Sequence, residues 1–317
     1  EFPLRVGNII DHAARYHPRR DIISRDVEGP INRTNWNEIR NRALKLAKAL
    51  QKLGVRKGDV IGVMAWNTSR HLEVVYGVPG VGAVNHTLNP RLFSEQLIYI
   101  INHAEDKVLM VDPDLIPVIE LIIAKCSSVQ QIIVMTDTQN MPKSKIENLL
   151  CYEEIISSED TDMIWVKGSE FDACGICYTS GTTGNPKGVV YTHRSNTLHA
   201  LASAAPDMLG LASTERIMPV VPLFHANGWS IGYTAPITGA SMIMPGRDMS
   251  PKALYEMLEH GATVTAAVPT VWLLLLDFLE KENLTLSTLK RVVIGGSACP
   301  RAVIEKFQDK YGIKVLH

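Results

Sequence analysis

The sequence is poor in cysteine and has no excess of either charge, so neither disulfides nor a strong field organises the chain. Only five of its 317 residues are cysteine, an odd number at irregular spacing. A chain of this length does not need covalent cross-links, so this usage predicts reduced thiols in an intracellular, cytoplasmic protein. Cys174 and Cys177 form a C-x-x-C pair with no second pair beside it, which two small core thiols explain better than a zinc site.

The charges of the two signs balance, with 32 Lys and Arg against 33 Asp and Glu. A net charge of −1 creates no field that attracts nucleic acid or an anionic membrane, so neither is an expected partner. The first residues lack the apolar core of a signal peptide. Hydrophobic residues make up 46% of the chain, an ordinary globular composition that excludes a disordered, collagen-like or coiled-coil protein.

One long stretch, residues 217–246, contains no Asp, Glu, Lys or Arg. It does not predict a transmembrane segment, because prolines interrupt it and because His225 and Asn227 would need polar partners in lipid. An uncharged stretch punctuated by polar residues is more typical of the lining of a buried pocket. The interrupting prolines are Pro219, Pro222, Pro236 and Pro245.

The apolar periodicity predicts an α/β fold. A first helix is expected from Val6, and Thr34 is the expected N-cap of a second. Beyond these helices, short apolar strands alternate with helical windows, which predicts parallel sheet covered by helices. Residues 136–170 are more polar, so we place a boundary there, with a first α/β subdomain at 1–170 and a second at 171–317.

The strongest motif runs Tyr178-Thr-Ser-Gly-Thr-Thr-Gly-Asn-Pro-Lys-Gly188. Its glycines let backbone N–H groups approach phosphate oxygens, its hydroxyls donate hydrogen bonds, and its lysine supplies positive charge. It is not a Walker A loop, because Lys187 is followed by Gly188 and an apolar strand instead of a helix. The motif predicts a phosphate-binding loop between two strands.

This loop resembles the phosphate loop of the acyl-adenylating superfamily, which includes acyl-CoA synthetases, adenylation domains of peptide synthetases and luciferases. The resemblance covers essentially the whole chain. It implies the layered αβαβα N-terminal domain of those enzymes, truncated at its C-terminal side. Besides the loop, it rests on Thr34-Asn35-Trp36, Lys57-Gly58-Asp59-Val60, Asn89-Pro90-Arg91-Leu92, Val221-Pro222-Leu223-Phe224-His225 and Gly295-Gly296-Ser297-Ala298.

The resemblance implies that the loop binds the ATP phosphates and that Thr179 also lies near Mg²⁺. It implies that His225 is the catalytic residue beside the acyl carboxylate and the α-phosphate. Amino-acid-activating relatives have an aspartate at this position, so a histidine here argues against an amino-acid substrate. The residues assigned to the phosphates are Thr179, Ser180, Gly181, Thr182, Thr183, Gly184 and Lys187.

The same resemblance implies an acyl pocket around four further residues. Ala226 and Trp229 follow His225, and Trp229 falls where bacterial long-chain synthetases have a tryptophan that gates the fatty-acid tunnel. A plain core aromatic is the alternative for Trp229. Gly296 and Ser297 are implied to border the adenine and acyl pocket, since Gly296 permits close backbone approach to a flat ligand.

We therefore expect an ATP-dependent fatty acyl-CoA ligase that uses ATP, Mg²⁺ and CoA, with a homodimer as an option. The family follows the last segment with a Gly-x-Thr-Glu motif, a hinge and a mobile C-terminal domain bearing a catalytic lysine. These are absent here, so we expect an N-terminal fragment that is inactive alone. Two alternatives stay open: a ligase for an aryl or short sulfur-containing acid, and a non-catalytic nucleotide- or acyl-binding module. A P-loop kinase is disfavoured by Gly188.

Overall fold

The computed structural model describes residues 2–179 and 185–317, and this part of the chain contains fourteen strands and eleven α-helices. The strands β1 to β14 span Asp21–Arg25, Ile31–Asn35, Val60–Met64, Val84–Thr87, Asp106–Val111, Gln131–Val134, Leu150–Cys151, Ala173–Thr179, Lys187–Thr192, Arg216–Pro219, Ser241–Met244, Val264–Ala267, Arg291–Ile294 and Lys314–Leu316. The helices α1 to α11 span Val6–Tyr16, Trp36–Lys52, Ser69–Gly80, Ser94–Ala104, Ile116–Ile122, Tyr152–Ser157, His193–Ser203, Ile231–Thr238, Pro251–Leu258, Pro269–Lys281 and Arg301–Glu305.

The strands form two seven-stranded sheets, each parallel except for one edge pair. The first sheet has the order β14-β13-β12-β10-β11-β1-β2, and only β1 and β2 are antiparallel. The second has the order β7-β6-β5-β3-β4-β8-β9, and only β8 and β9 are antiparallel. The expectation of parallel sheet is confirmed, and each antiparallel edge pair is a hairpin.

Helices fill the space between the two sheets and cover their outer faces. Buried residues of α1, α2, α3, α7 and α8 pack in one cluster with β1, β10, β11 and β12. Residues of α9, α10 and α11 pack on the other face of the first sheet, and those of α4 and α5 on the outer face of the second. The architecture is therefore the five-layered αβαβα arrangement that the resemblance implies.

Both sheets draw strands from either side of residue 170. The first combines the early hairpin β1–β2 with β10 to β14, and the second combines β3 to β7 with β8 and β9. The sheets therefore group the residues differently from the expected subdomains 1–170 and 171–317. That domain division stays a prediction.

The local expectations held where apolar periodicity was strong. Helix α1 begins at Val6 as predicted, whereas the N-cap of α2 is Asn35, one residue after the predicted Thr34. The Asn35 side chain accepts a hydrogen bond from the Glu38 backbone N–H and so satisfies the first turn. The uncharged stretch 217–246 forms most of β10, a turn, α8 and β11. None of the described helices has the length and apolarity that crossing a bilayer requires.

Candidate active site

The predicted phosphate loop connects two antiparallel strands, as its sequence indicates. Thr179, the last residue of β8, pairs with Lys187, the first residue of β9, and the Thr179 hydroxyl donates to the Lys187 carbonyl at 3.4 Å. Both residues are exposed, and Lys187 makes no ion pair with the residues that the structure describes. The hydroxyl and the ammonium therefore stand at one sheet edge, accessible to an anion. The predicted phosphate ligands Ser180, Gly181, Thr182, Thr183 and Gly184 lie outside the described residues.

A small cavity brings this hairpin together with His225. The cavity lies at the carboxyl ends of the parallel strands, since Thr87 ends β4, Thr179 ends β8 and His225 follows β10. Open α/β sheets commonly bind ligands at this edge. Thr179 and His225 are 46 positions apart in the sequence and were expected to share one site, and both line this cavity. Its lining is Thr87, Asn89, Leu92, Ile100, Tyr178, Thr179, Pro186, Phe224 and His225.

Buried aromatic contacts fix the backbone before His225, while the imidazole itself is exposed. Phe224 is only 3% exposed. The Trp66 ring meets it edge-on at 5.8 Å between centroids, and the Arg91 guanidinium lies 6.0 Å from the centre of the Phe224 ring. Phe224 therefore works as an anchor that holds the adjacent His225 at the cavity wall.

Asn67 holds the same segment from the second sheet, and sequence reasoning did not single it out. Its side-chain amide donates to the carbonyls of Pro219 and Val221 at 2.8 and 2.9 Å, and its side-chain oxygen accepts from the Leu223 N–H at 2.8 Å. Asn67 is 1% exposed, so these bonds form away from water. Asn67 lies just beyond the carboxyl end of β3. A polar residue at that place is the sequence signal that could have identified it as part of the site.

A left-handed backbone turn separates His225 from α8. Five consecutive residues, Ala226 to Ser230, have φ between 45° and 58°, and only Gly228 among them is glycine. Left-handed backbone costs a residue with a side chain about 1–2 kcal/mol, so four such residues among five make this a strained segment. Strain of this kind concentrates at functional sites, and here the strained segment contains Ala226 and Trp229, two of the residues predicted to form the acyl pocket.

Trp229 extends from this turn toward the end of β13. A Cβ atom placed on Gly295 would lie 3.0 Å from Cη2 of the Trp229 indole, so the ring rests on glycine backbone. Trp229 is partly buried and borders the apolar cluster between the sheets. Gly296, with φ of 84°, and Ser297 are exposed and do not line the described cavity beside His225. The predicted site residues therefore fall into two neighbouring groups.

The described residues offer little to a metal ion on their own. They contain no group of three or more His, Cys, Asp or Glu side chains that could hold one. The hydroxyl of Thr179 is the predicted ligand, and Mg²⁺ in nucleotide sites commonly takes most of its oxygens from phosphates and water. The residues fit a Mg²⁺ ion held mainly by a bound nucleotide, with Thr179 beside it.

These observations define an α/β domain with one candidate site at the carboxyl ends of its parallel strands, and comparison with known proteins identifies its family. The model of the AMP-binding enzyme family matches residues 10–317, so the chain belongs to the AMP-binding enzymes. The 3-methylmercaptopropionyl-CoA ligase of Ruegeria lacuscaerulensis is 44% identical over 99% of the chain and 59% of its own length. The medium-chain-fatty-acid–CoA ligase of Ectopseudomonas oleovorans is 42% identical over 99% of the chain and 58% of its own length.

A solved structure shows the same fold. The long-chain-fatty-acid-CoA ligase from Archaeoglobus fulgidus superposes with a TM-score of 0.85 at 28% identity, covering 98% of this chain and 61% of the other. The chain spans 58–59% of the length of these two curated relatives. These two relatives are acid–CoA ligases. Because the chain covers only part of their length, the activity of the whole protein is proposed below.

Proposed function

We propose that the whole protein is an ATP-dependent fatty acyl-CoA ligase, and that this chain supplies its nucleotide phosphate site and part of its acyl site. The observation that carries the proposal is the single cavity shared by Thr179, His225 and Phe224. The Thr179 hydroxyl and the exposed imidazole of His225 both belong to residues that line it, and Lys187 pairs with Thr179 on the neighbouring strand. That arrangement suits a reaction between an acyl carboxylate and a nucleotide phosphate.

In the first step, a carboxylate oxygen of the acid attacks the α-phosphorus of ATP in line with the leaving group. The bond from the α-phosphorus to the bridging oxygen breaks, and pyrophosphate leaves with that oxygen. Lys187 and the Thr179 hydroxyl stabilise the negative charge that builds up on the phosphates. His225 orients the carboxylate beside the α-phosphate through a ring N–H. Bound Mg²⁺ supplies further charge neutralisation.

In the second step, the sulfur of CoA attacks the carbonyl carbon of the acyl-adenylate. The bond from that carbon to the phosphate oxygen breaks, AMP leaves, and the thiol proton passes to solvent. In this step the described residues hold the acyl group of the adenylate in place. The part of the relatives that extends beyond this chain is where the resemblance assigns the mobile domain and its lysine.

The acid is the least determined part of the proposal. A fatty acid is favoured by the uncharged stretch 217–246 and by relatives named for medium- and long-chain acids. A short sulfur-containing acid is the second candidate, favoured by the 44% identity to a 3-methylmercaptopropionyl-CoA ligase. Histidine at 225 argues against amino acids in both cases. Mg²⁺ dependence and a homodimer complete the proposal on the strength of the resemblance, and a cytoplasmic location on the strength of the cysteine usage.

The test is acid-dependent exchange of labelled pyrophosphate into ATP by the whole protein. Palmitate, octanoate, 3-(methylthio)propanoate and benzoate are compared at equal concentration, followed by thioester formation with CoA. Exchange highest with octanoate or palmitate supports the fatty acyl ligase, and highest with the thioether acid supports the second candidate. Nucleotide binding without exchange for any acid refutes an enzymatic role and favours the binding module.

A further inference from the structure

Tyr178 crosses from one strand of the phosphate-loop hairpin to the other. It lies in β8 directly before Thr179 and pairs with Gly188, which directly follows Lys187. A Cβ atom on Gly188 would lie 3.1–3.3 Å from the Cζ, Cε2 and hydroxyl atoms of Tyr178. The hydroxyl end of the tyrosine ring therefore lies against the glycine. It touches both strands at the point where the segment 180–186 leaves them.

The hydroxyl of Tyr178 ties this hairpin to α4 on the outer face of the sheet. It lies 2.6 Å from Nδ1 of His103, in the last turn of that helix. The Tyr99 ring stacks on the His103 ring at 5.3 Å between centroids and 26° between planes, which restricts the imidazole. Burial, with the nearby Asp106 carboxylate, raises the pKa of Tyr178 to about 12, so the phenol keeps its proton.

A buried hydrogen-bonded pair, His86 and Asp106, supports the inner edge of the Tyr178 ring. The His86 ring lies 5.0 Å from it between centroids, and His86 Nδ1 is 2.8 Å from the Asp106 carboxylate. Both side chains of this pair are fully buried. The carboxylate occupies the space over Gly62, where a Cβ atom would lie 2.7 Å from Asp106 Oδ2. Tyr178 is thus held at its hydroxyl and supported at its ring.

We propose that Tyr178, anchored by His103, is a positioning residue for nucleotide binding: it fixes the spacing of Thr179 and Lys187. The inference rests on the proposed function, because it assigns those two residues to the ATP phosphates. The hydroxyl of Tyr178 need not touch the nucleotide. Among the hydrogen bonds of the described residues, only this one joins the loop end of the hairpin to α4.

The kinetic test uses the whole protein with Tyr178→Phe, His103→Ala and the double variant. The Phe variant keeps the ring over Gly188 and loses only the hydroxyl. The matched control is Tyr191→Phe, since Tyr191 pairs with Gly175 at the other end of the same strand pair. Loss of one hydrogen bond of ordinary strength should raise the KM for ATP about five-fold, with the KM for the acid unchanged. The double variant should show no more than the larger single effect, and the control should match the wild type.

Trypsin cleavage after Lys187, measured without nucleotide, tests the anchor separately from catalysis. Tyr178→Phe and His103→Ala should each speed cleavage about five-fold, because the strand end opens more often. An unchanged cleavage rate overturns the proposal whatever the kinetics show, and so does an unchanged KM for ATP in an active variant. If the wild type shows no acid-dependent exchange, the proposed function fails, while the cleavage rates still decide whether His103 and Tyr178 hold Lys187.

Discussion

Replacing Trp229 by alanine distinguishes a moving gate from ordinary core packing. Trp229 is partly buried, lies on the left-handed turn and rests against Gly295. A gate needs a bulky flat side chain on backbone that can change conformation; the indole of Trp229 meets the first condition, and Gly228 directly before it favours the second. Trp272 is the matched control, because it is fully buried in α10 and meets Phe307 edge-on at 5.8 Å.

The two substitutions should differ in their effect on stability. Emptying a buried tryptophan site costs about 3–5 kcal/mol, which is the loss expected for Trp272→Ala. Trp229 keeps part of its ring in solvent and one side of its contact is glycine backbone, so its removal should cost about 1–2 kcal/mol. Urea unfolding of both variants measures these free energies directly.

The effect on acid binding should be larger for Trp229→Ala than for Trp272→Ala. If Trp229 closes the acyl tunnel until ATP binds, Trp229→Ala should bind the acid with little dependence on nucleotide. The affinity for octanoate is measured with and without a non-hydrolysable ATP analogue, using Trp272→Ala as the comparison. If Trp229→Ala lowers the free energy of unfolding by several kcal/mol and leaves the ATP dependence of acid binding intact, Trp229 is an ordinary core residue and the gate hypothesis is wrong.

Three further predictions follow from named contacts. Lys187→Ala should slow pyrophosphate exchange about 10- to 100-fold at unchanged urea stability, whereas Lys125→Ala should leave the rate unchanged; equal rates would remove Lys187 from the site. Asn67→Ala should lower the unfolding free energy by about 2–4 kcal/mol and also reduce kcat, because three backbone groups in the segment before His225 lose their partner. An unchanged kcat would contradict a positioning role for Asn67. Burial lowers the pKa of His71 and of His193 from 6.5 to about 4, so the unfolded state binds protons first as the pH falls. The contribution of these two histidines to the free energy of unfolding should be fully present above pH 6.5. It should decline between pH 6.5 and pH 4 by up to about 1.4 kcal/mol per pH unit for each histidine. Urea unfolding of His193→Gln as a function of pH should show a shallower decline.

Local sequence patterns were sufficient where one face of an element is buried. Helix α1 lies where the apolar residues predict it. The hairpin β1–β2 was not predicted, because β2 is a polar edge strand with an exposed or half-buried pattern throughout. Its partner β1 pairs with β11, about 220 residues later in the chain. Such long-range pairing leaves no local signal, which is also why the boundary at residue 170 does not match the sheets.

The candidate site divides in the same way. The composition of the phosphate loop was enough to predict a connection between two strands, and β8 and β9 bear this out. Nothing local predicts five left-handed residues from Ala226 to Ser230, since only one of them is glycine. The contacts of Asn67 with the segment before His225, and of Tyr178 with His103, join residues 75 to 156 positions apart. They follow from packing and not from any spacing.

The most direct test of the account is a crystal structure of the whole protein with a non-hydrolysable acyl-adenylate analogue, an acyl sulfamate of adenosine. The central claim is that the hairpin and the His225 segment form one adenylation site. The account predicts the sulfamate group in the cavity, within about 3.5 Å of the His225 ring and of the Thr179 hydroxyl or the Lys187 ammonium. An analogue bound elsewhere, with no contact to Thr179, Lys187 or His225, would contradict it.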